Sequence, residues 1–304
     1  MWHRRRPRPA TCPPTAKKVR SVSNPRIAVA YLATPGGDDA VAVGEQIART
    51  LGAQLDLCMV LPSDRSPLAT TPGGILQREA ESWLAAAAAG VQNDLTVTTH
   101  LSFDESSTAG LIAAAEAVGA EALVVGGAGG GIAGSLSLGS VVNDLVHASP
   151  IPVVIAPRGA RLKRNDRIRE VTCAVGTRPG AKLLLDAALR LCRDTETPLR
   201  LVSLVAVDDA DDLELAQQHA QNALDQAKAF LPEGIPVSSR VATGAGVEDA
   251  VNKLGWHDGD VIMVGSSRLA QPRRLFLGST AAKMLRVLQV PMIVVPKDEG
   301  ADND

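Results

Sequence analysis

The sequence predicts an α/β protein of two tandem domains, each a five-stranded, mostly parallel sheet with helices on both faces. Three observations predict it. The chain repeats itself: Gly126, Gly139, Ser140, Pro152 and Pro157 recur 139 positions later as Gly265, Gly278, Ser279, Pro291 and Pro296. Upstream, IAVAYLATPGG (27–37) lines up with VTCAVGTRPGA (171–181), 144 positions on. A period that long is a duplicated domain, and 304 residues suit two domains. Within each copy, short β-rich runs alternate with runs of helical period. Aromatic residues are only 2% of the chain although apolar residues are 45%, so the core must be Ala, Val, Leu and Ile, which suits parallel strands buried on both faces.

Taken in order, copy one opens with the strand IAVAYL (27–32). A helix follows over 38–53, with Val41, Val43, Ile47 and Leu51 at helical spacing and Gly52 as its stop. LDLCMVL (55–61) is the second strand. A Pro/Ser/Thr/Gly-rich loop (62–74) leads to the helix ILQREAESWLAAAAAGV. VTTHLS (97–102) is a strand, TAGLIAAAEAVGA (108–120) a helix and ALVVGG (122–127) the fourth strand. After a glycine-rich loop come the helix SVVNDLVHAS and the strand PVVIAP (152–157). Copy two repeats the order with strands VTCAVG, LRLVSLVAV, VSSRVAT, DVIMVG and PMIVVP. Its helices are KLLLDAALRLC, ADDLELAQQHAQNALDQAKAFL, GVEDAVNKLG and STAAKMLRVL.

The boundaries follow. Residues 1–24 form a basic, proline-rich tail expected to be disordered, with seven Lys or Arg before residue 21. Domain 1 spans 25–157 and domain 2 spans 169–297. Between them 158–168 is a linker, since RGARLKRNDR carries five Lys or Arg and almost nothing apolar; 298–304 is an acidic tail. The tail has no apolar stretch of a secretory signal, and no apolar run reaches membrane-spanning length. A net charge of −2 gives no reason to expect nucleic-acid or membrane binding. Cys58, Cys173 and Cys192 read as small buried hydrophobes in a reduced, cytoplasmic compartment, and Cys12 lies in the tail; no zinc-type spacing is present.

The chemistry concentrates in residues 124–142, VVGGAGGGIAGSLSLGSVV, with seven glycines and no charge. In an open α/β sheet this strand-to-helix loop lies at the carboxyl edge, where ligands bind. A helix start offers unpaired N–H groups, and glycine lets the backbone approach an anion, so phosphate is the natural occupant. A Walker loop is excluded because GSLSLGS (134–140) lacks its lysine. The literal G-x-G-x-x-G at Gly129, Gly131 and Gly134 follows the fourth strand of its unit, and no acidic strand end follows it for a ribose.

A third spacing, G-x2-G-x9-G-[ST], is met in full by Gly126, Gly129, Gly139 and Ser140. With the five-strand order and the closing PVVIAP and PMIVVP strands, residues 25–297 resemble the universal stress protein family in two tandem copies. The resemblance implies a Rossmann-like fold, an adenine-nucleotide site with phosphates and ribose on this loop, and pairing of the two closing strands within one chain. Such pairing would satisfy edge groups otherwise exposed. It implies ATP as ligand, with Mg only as its companion. Further pairing of two chains into a homodimer stays open.

Two departures stand against tight ATP binding. Nucleotide-binding members usually carry an Asp just after the first strand; here Leu32 and Gly176 take that place. Copy two reads Gly265, Arg268, Gly278, Ser279, so Arg replaces the second glycine, with Arg273 and Arg274 nearby. Arg268 either blocks the backbone approach or offers a guanidinium to phosphate. Copy one has no Lys or Arg from Glu79 to Pro157 and eight acids there. One copy keeps the loop without the charge, the other the charge without the loop.

No catalytic set emerges. PGGDDA (35–40) lacks the hydroxyls of the related S-G-G-x-D-S pyrophosphatase loop and reads as a turn. His100, His147, His219 and His257 have no sequence-visible nucleophile beside them. DDADD (208–212) reads as a charged helix start, because EF-hand spacing is absent. The expected role is a nucleotide-binding regulatory module in stress response, with binding in domain 1. The alternative is a ligand-free tandem scaffold with degenerate sites, and a slow ATP hydrolase ranks last.

Overall fold

The computed structural model describes residues 24–63, 74–127, 139–163, 165–176, 181–193, 195–206, 210–266 and 275–296. The expected tails, apart from Asn24, therefore lie outside the described residues, with Cys12, Asp208 and Asp209. The first half runs β1 (Arg26–Ala30), α1 (Pro35–Leu51), β2 (Gln54–Pro62), α2 (Ile75–Gly90), β3 (Val97–Asp104), α3 (Ser107–Ala117), β4 (Ala122–Gly126), α4 (Ser140–Ala148) and β5 (Val153–Ala156). A four-residue helix, α5 (Ala160–Lys163), follows. The second half runs β6 (Glu170–Ala174), α6 (Ala181–Arg193), β7 (Leu199–Ala206), α7 (Ala210–Ala229), β8 (Val237–Gly244), α8 (Val247–Asn252), β9 (Asp260–Gly265), α9 (Ser279–Leu285) and β10 (Met292–Val295).

All ten strands join one sheet in the order β3-β2-β1-β4-β5-β10-β9-β6-β7-β8. Pairing is parallel within each half and antiparallel at the seam, where Val153, Val154 and Ile155 face Val294, Ile293 and Met292. The closing strands thus pair within one chain, and no polar edge is left between the halves. The apolar layers cross the seam as well. One packs Ile47 of α1 and Leu84 of α2 with Leu185 of α6 and Leu224 of α7 through Val154 and Ile293. The other packs Leu111 of α3 and Leu145 of α4 with Val251 of α8 and Met284 of α9 through Ile155 and Met292. Cys58, Cys173 and Cys192 are buried free thiols.

Each half also carries an ion pair bridging its first two strands, with the charges exchanged. Asp56 on β2 is fully buried; Arg26 of β1 donates to both its oxygens, Nε at 2.9 Å from Oδ2, and His100 Nε2 lies 2.8 Å from Oδ1. At the matching positions 144 residues on, Glu170 of β6 takes the acid role and Arg200 of β7 the basic one, 3.2 Å apart. Arg200 also donates to Thr172 Oγ1 and lies 5.1 Å from the centre of the Trp256 ring.

The sequence reading needs one correction here. PGGDDA is not a free turn: α1 begins at Pro35, three residues before the expected start. Thr34 is its N-cap, accepting the Gly37 N–H at 3.2 Å, and proline suits the first helical position because its missing N–H has no helical partner anyway. Gly52 ends the helix in the left-handed region as expected, at φ 63°. Within the expected linker a short helix, α5, forms.

Candidate nucleotide crevice of the first half

The strand order reverses between β1 and β4 in the first half and between β6 and β9 in the second, so each half has one crevice at the carboxyl edge of its sheet. In the first half, β1 leads through Tyr31–Thr34 into α1, and β4 ends at Gly126.

Gly126 has a structural reason to be glycine. A Cβ there would lie 1.9 Å from the carbonyl oxygen of Gly36, and a Cβ on Gly36 would lie 2.6 Å from the carbonyl oxygen of Gly127. A Cβ on Gly37 would lie 1.9 Å from the Leu32 carbonyl oxygen. The first turn of α1 therefore rests backbone to backbone against the end of β4 and forms one wall of the crevice. Leu32, at the place of the family's carboxylate, is 57% exposed and offers no polar group but its carbonyl, which accepts the Thr34 N–H at 2.7 Å. Tyr31 is buried beneath it; burial, followed by the nearby charge of Asp38, pushes its phenol pKa up.

The other wall is α4. Gly139 is its N-cap, with φ −66° and ψ 163°, and no side chain caps it. Its first residue, Ser140, is exposed. An uncapped helix start with a neighbouring hydroxyl presents N–H groups and the positive end of the peptide dipole, which is suited to phosphate. Gly129 lies outside the described residues.

The second half is built differently. Gly265 ends β9 and is exposed, and among the described residues a Cβ there would first meet Leu184 at 3.9 Å; Gly180, which matches Gly36, lies outside the described residues. Gly278 caps α9 without a side-chain partner and Ser279 begins it, but α9 has only seven residues. The end of the preceding loop is tied down: Ser266 Oγ accepts the Phe276 N–H at 2.7 Å and donates to its carbonyl at 3.3 Å. Leu275 donates its N–H to the Ser149 carbonyl of the first half at 3.1 Å, and the Phe276 ring stands edge-on to His147 at 4.8 Å. These residues are committed to the seam. Arg268, Arg273 and Arg274 lie outside the described residues.

The structure thus brings Gly126, Gly139 and Ser140 to one sheet edge and Gly265, Gly278 and Ser279 to the other. Sequence reasoning missed Thr34, Gly36 and Gly37, although Thr-Pro ahead of an apolar period is a helix-start signal. It also missed Asp39, whose partners lie more than a hundred residues away. Among the described residues no group of His, Cys, Asp or Glu is placed to hold a metal ion, and no helix is long and apolar enough to cross a membrane.

Comparison with known proteins agrees with this architecture. A universal stress protein of Mycobacterium tuberculosis is 27% identical over 293 residues, covering 89% of this chain and 99% of its own length, and a Mycobacterium bovis protein matches equally. Among solved structures, a universal stress protein from Archaeoglobus fulgidus superposes with a TM-score of 0.64 at 17% identity, over 89% of this chain and 98% of that one. A functionally unknown protein from Pseudomonas aeruginosa does so with 0.58 at 18% identity, over 91% and 94%. The sequence model of the universal stress protein family matches residues 24–157 and again 167–296, each span carrying one five-stranded half and one glycine-headed crevice, and the chain belongs to that family as a tandem member.

Proposed function

We propose that this protein is a stress-response regulatory module that binds an adenine nucleotide of the ATP class in the crevice of its first half. The observation that carries the reading is the start of α4: a nine-residue helix headed by Gly139 with no side-chain cap and by exposed Ser140, at the reversal point of the strand order. Phosphate groups would take the N–H groups of this turn and the Ser140 hydroxyl, with Mg arriving only as the companion of the phosphates. Gly129, Gly265, Arg268, Gly278 and Ser279 complete the two sets by family resemblance. Binding is assigned to the first half because the end of the second loop is already pinned by Ser266 and Phe276.

A second reading, a ligand-free scaffold, is favoured by two features. Packing against Gly36 accounts for Gly126, and Leu32 removes the carboxylate anchor. Hydrolysis ranks last because no base stands beside Ser140 among the described groups. Calorimetry with ATP, ADP, AMP and cyclic AMP separates the first two. The nucleotide reading expects dissociation constants below about a millimolar, near −4 kcal/mol. It expects Gly139→Val to abolish binding with helix content unchanged. If no nucleotide binds, and none co-purifies by mass spectrometry, the scaffold remains.

A further inference from the structure

Helix α1 carries a polar seam that the crevice does not use. Asp39, Gln46 and Thr50 are spaced i, i+7, i+11, which puts them on one stripe of the helix, and they are only 2%, 3% and 5% exposed. Each of them reaches the segment that joins the two halves, or the second half itself. Asp39 accepts the N–H of Gly159 at 2.9 Å, the N–H of Arg161 at 3.0 Å and the Arg161 guanidinium at 2.9 Å. Gln46 donates to the carbonyls of Arg167 at 3.3 Å and Gly259 at 3.0 Å. Thr50 Oγ1 accepts the Ile168 N–H at 2.8 Å. A buried carboxylate is stable only when so paired, so Asp39 fixes the start of α5 as firmly as α5 fixes Asp39.

The grip falls on the turn that forms the crevice wall. Arg161 Nη1 reaches the Pro35 carbonyl at 3.3 Å as well as Asp39, so one guanidinium holds the first residue of α1 and the start of its second turn, on either side of Gly36 and Gly37. On its open side Arg161 borders a cleft of about 460 Å³, shared with Tyr31, Asp38 and Leu162, into which the latch can open. The device is one-sided: the positions 144 residues on are Leu183, Arg190 and Asp194, which do not reproduce the Asp, Gln, Thr pattern.

We propose that the inter-domain linker regulates the crevice of the first half: seating of Arg161 and Gly159 on Asp39 and ordering of the crevice wall at Gly36–Gly37 are one equilibrium, with Arg161 its positioning residue. The regulatory half rests on the nucleotide reading above; the mechanical half does not. A ligand that needs the wall in place tightens the latch, and release of the latch weakens the ligand by the same factor.

Amide hydrogen exchange on the full chain tests both halves. In Arg161→Ala without ligand, the Gly37 and Asp38 amides, which donate to Thr34, are expected to exchange about tenfold faster, while those of Ile47 and Ala48 in the same helix stay unchanged. Asp39→Asn, which keeps the shape and drops the charge, is expected to act in the same direction. Unchanged exchange at Gly37 and Asp38 in both variants overturns the proposal whatever a nucleotide does. With ADP added to the wild type, the Gly159 and Arg161 amides are expected to slow, and Arg161→Ala is expected to weaken ADP about five- to tenfold. ADP that binds without slowing those amides overturns the regulatory half. If ADP fails to bind while Gly37 and Asp38 still respond to Arg161, the nucleotide reading fails and the linker's hold on the wall stands.

Discussion

Gly126→Ala tests the backbone contact on which the wall of the first crevice is built. At 126 the new methyl would sit 1.9 Å from the Gly36 carbonyl oxygen. Ordinary contact would require β4 and the α1 turn to separate by about 1.5 Å. Both partners are backbone, held by the Thr34 cap and the Asp39 latch, so no side chain can rotate away. Overpacking of this kind costs about 2–3 kcal/mol. Gly126→Ala should therefore lose about 2–3 kcal/mol in urea melts followed by circular dichroism, or several degrees in Tm at about 2–4 °C per kcal/mol. A loss under about 0.5 kcal/mol would refute the close approach of Gly36 to Gly126 and return that glycine to a purely ligand-binding role. The result also governs how binding data are read. A loss of nucleotide affinity in Gly126→Ala follows from a displaced wall, so Gly139→Val is the informative variant for direct contact.

Three further outcomes follow. Burial pushes the Cys58, Cys173 and Cys192 thiols from 9.0 up to about 12. Above pH 9 the unfolded chain sheds these protons and the folded chain keeps them. Stability is therefore full below pH 9 and falls as pH rises toward 12, by ~1.4 kcal/mol per thiol per pH unit; urea midpoints at pH 8 and pH 10 check this. Phe276→Ala removes the ring that stands against His147 across the seam and should cost about 2–3 kcal/mol, with circular dichroism of the folded state unchanged; a loss under about 0.5 kcal/mol means the loop end contributes nothing to the seam. Asp56→Ala leaves Arg26 and His100 without their buried partner and should cost about 3 kcal/mol. The exchange Arg26→Glu with Asp56→Arg should recover much of that loss, because Glu170 and Arg200 already hold the reversed pair in the second half; recovery below about 1 kcal/mol denies the equivalence of the two sites.

The architecture was legible because it rests on periodicity. Alternating strand and helix signals, the 139-residue repeat and the closing apolar strands all survive as β1–β10, and the pairing of PVVIAP with PMIVVP appears as the β5–β10 seam. Boundaries went astray where local chemistry outweighed period. Gly36 and Gly37 are poor helix formers and read as a turn, yet the Thr34 cap and Pro35 start the helix there, and the glycines are retained because β4 and Leu32 leave no room for a Cβ. The glycine set was visible as spacing, but the reason for each glycine was not. Gly126 answers to a neighbour 90 positions earlier, while Gly139 is the N-cap of a helix with no side-chain cap. Asp39 gave no signal: it lies in PGGDDA, which reads as a turn, and only the folded chain brings Gly159 and Arg161 onto it.

The two halves have diverged in ways that share one physical consequence. The first half has a nine-residue helix at its crevice and a polar seam on α1, and it has no Lys or Arg from Glu79 to Pro157. The second half spends the end of its loop on the seam through Leu275 and Phe276 and carries no Asp39 counterpart. Repeated domains risk pairing strands of one copy with those of the other during folding. Here β1 beside β7 would set Arg26 against Arg200, and β6 beside β2 would set Glu170 against buried Asp56, so each wrong pairing buries like charges while each correct one joins opposites. The charge exchange thereby penalises strand exchange between the halves, and the observed order sets β5 beside β10 and brings the linker that leaves β5 onto Asp39. A ligand in the first crevice would reach the second half through α1 and its polar seam, and through α4, whose end meets Leu275 and Phe276.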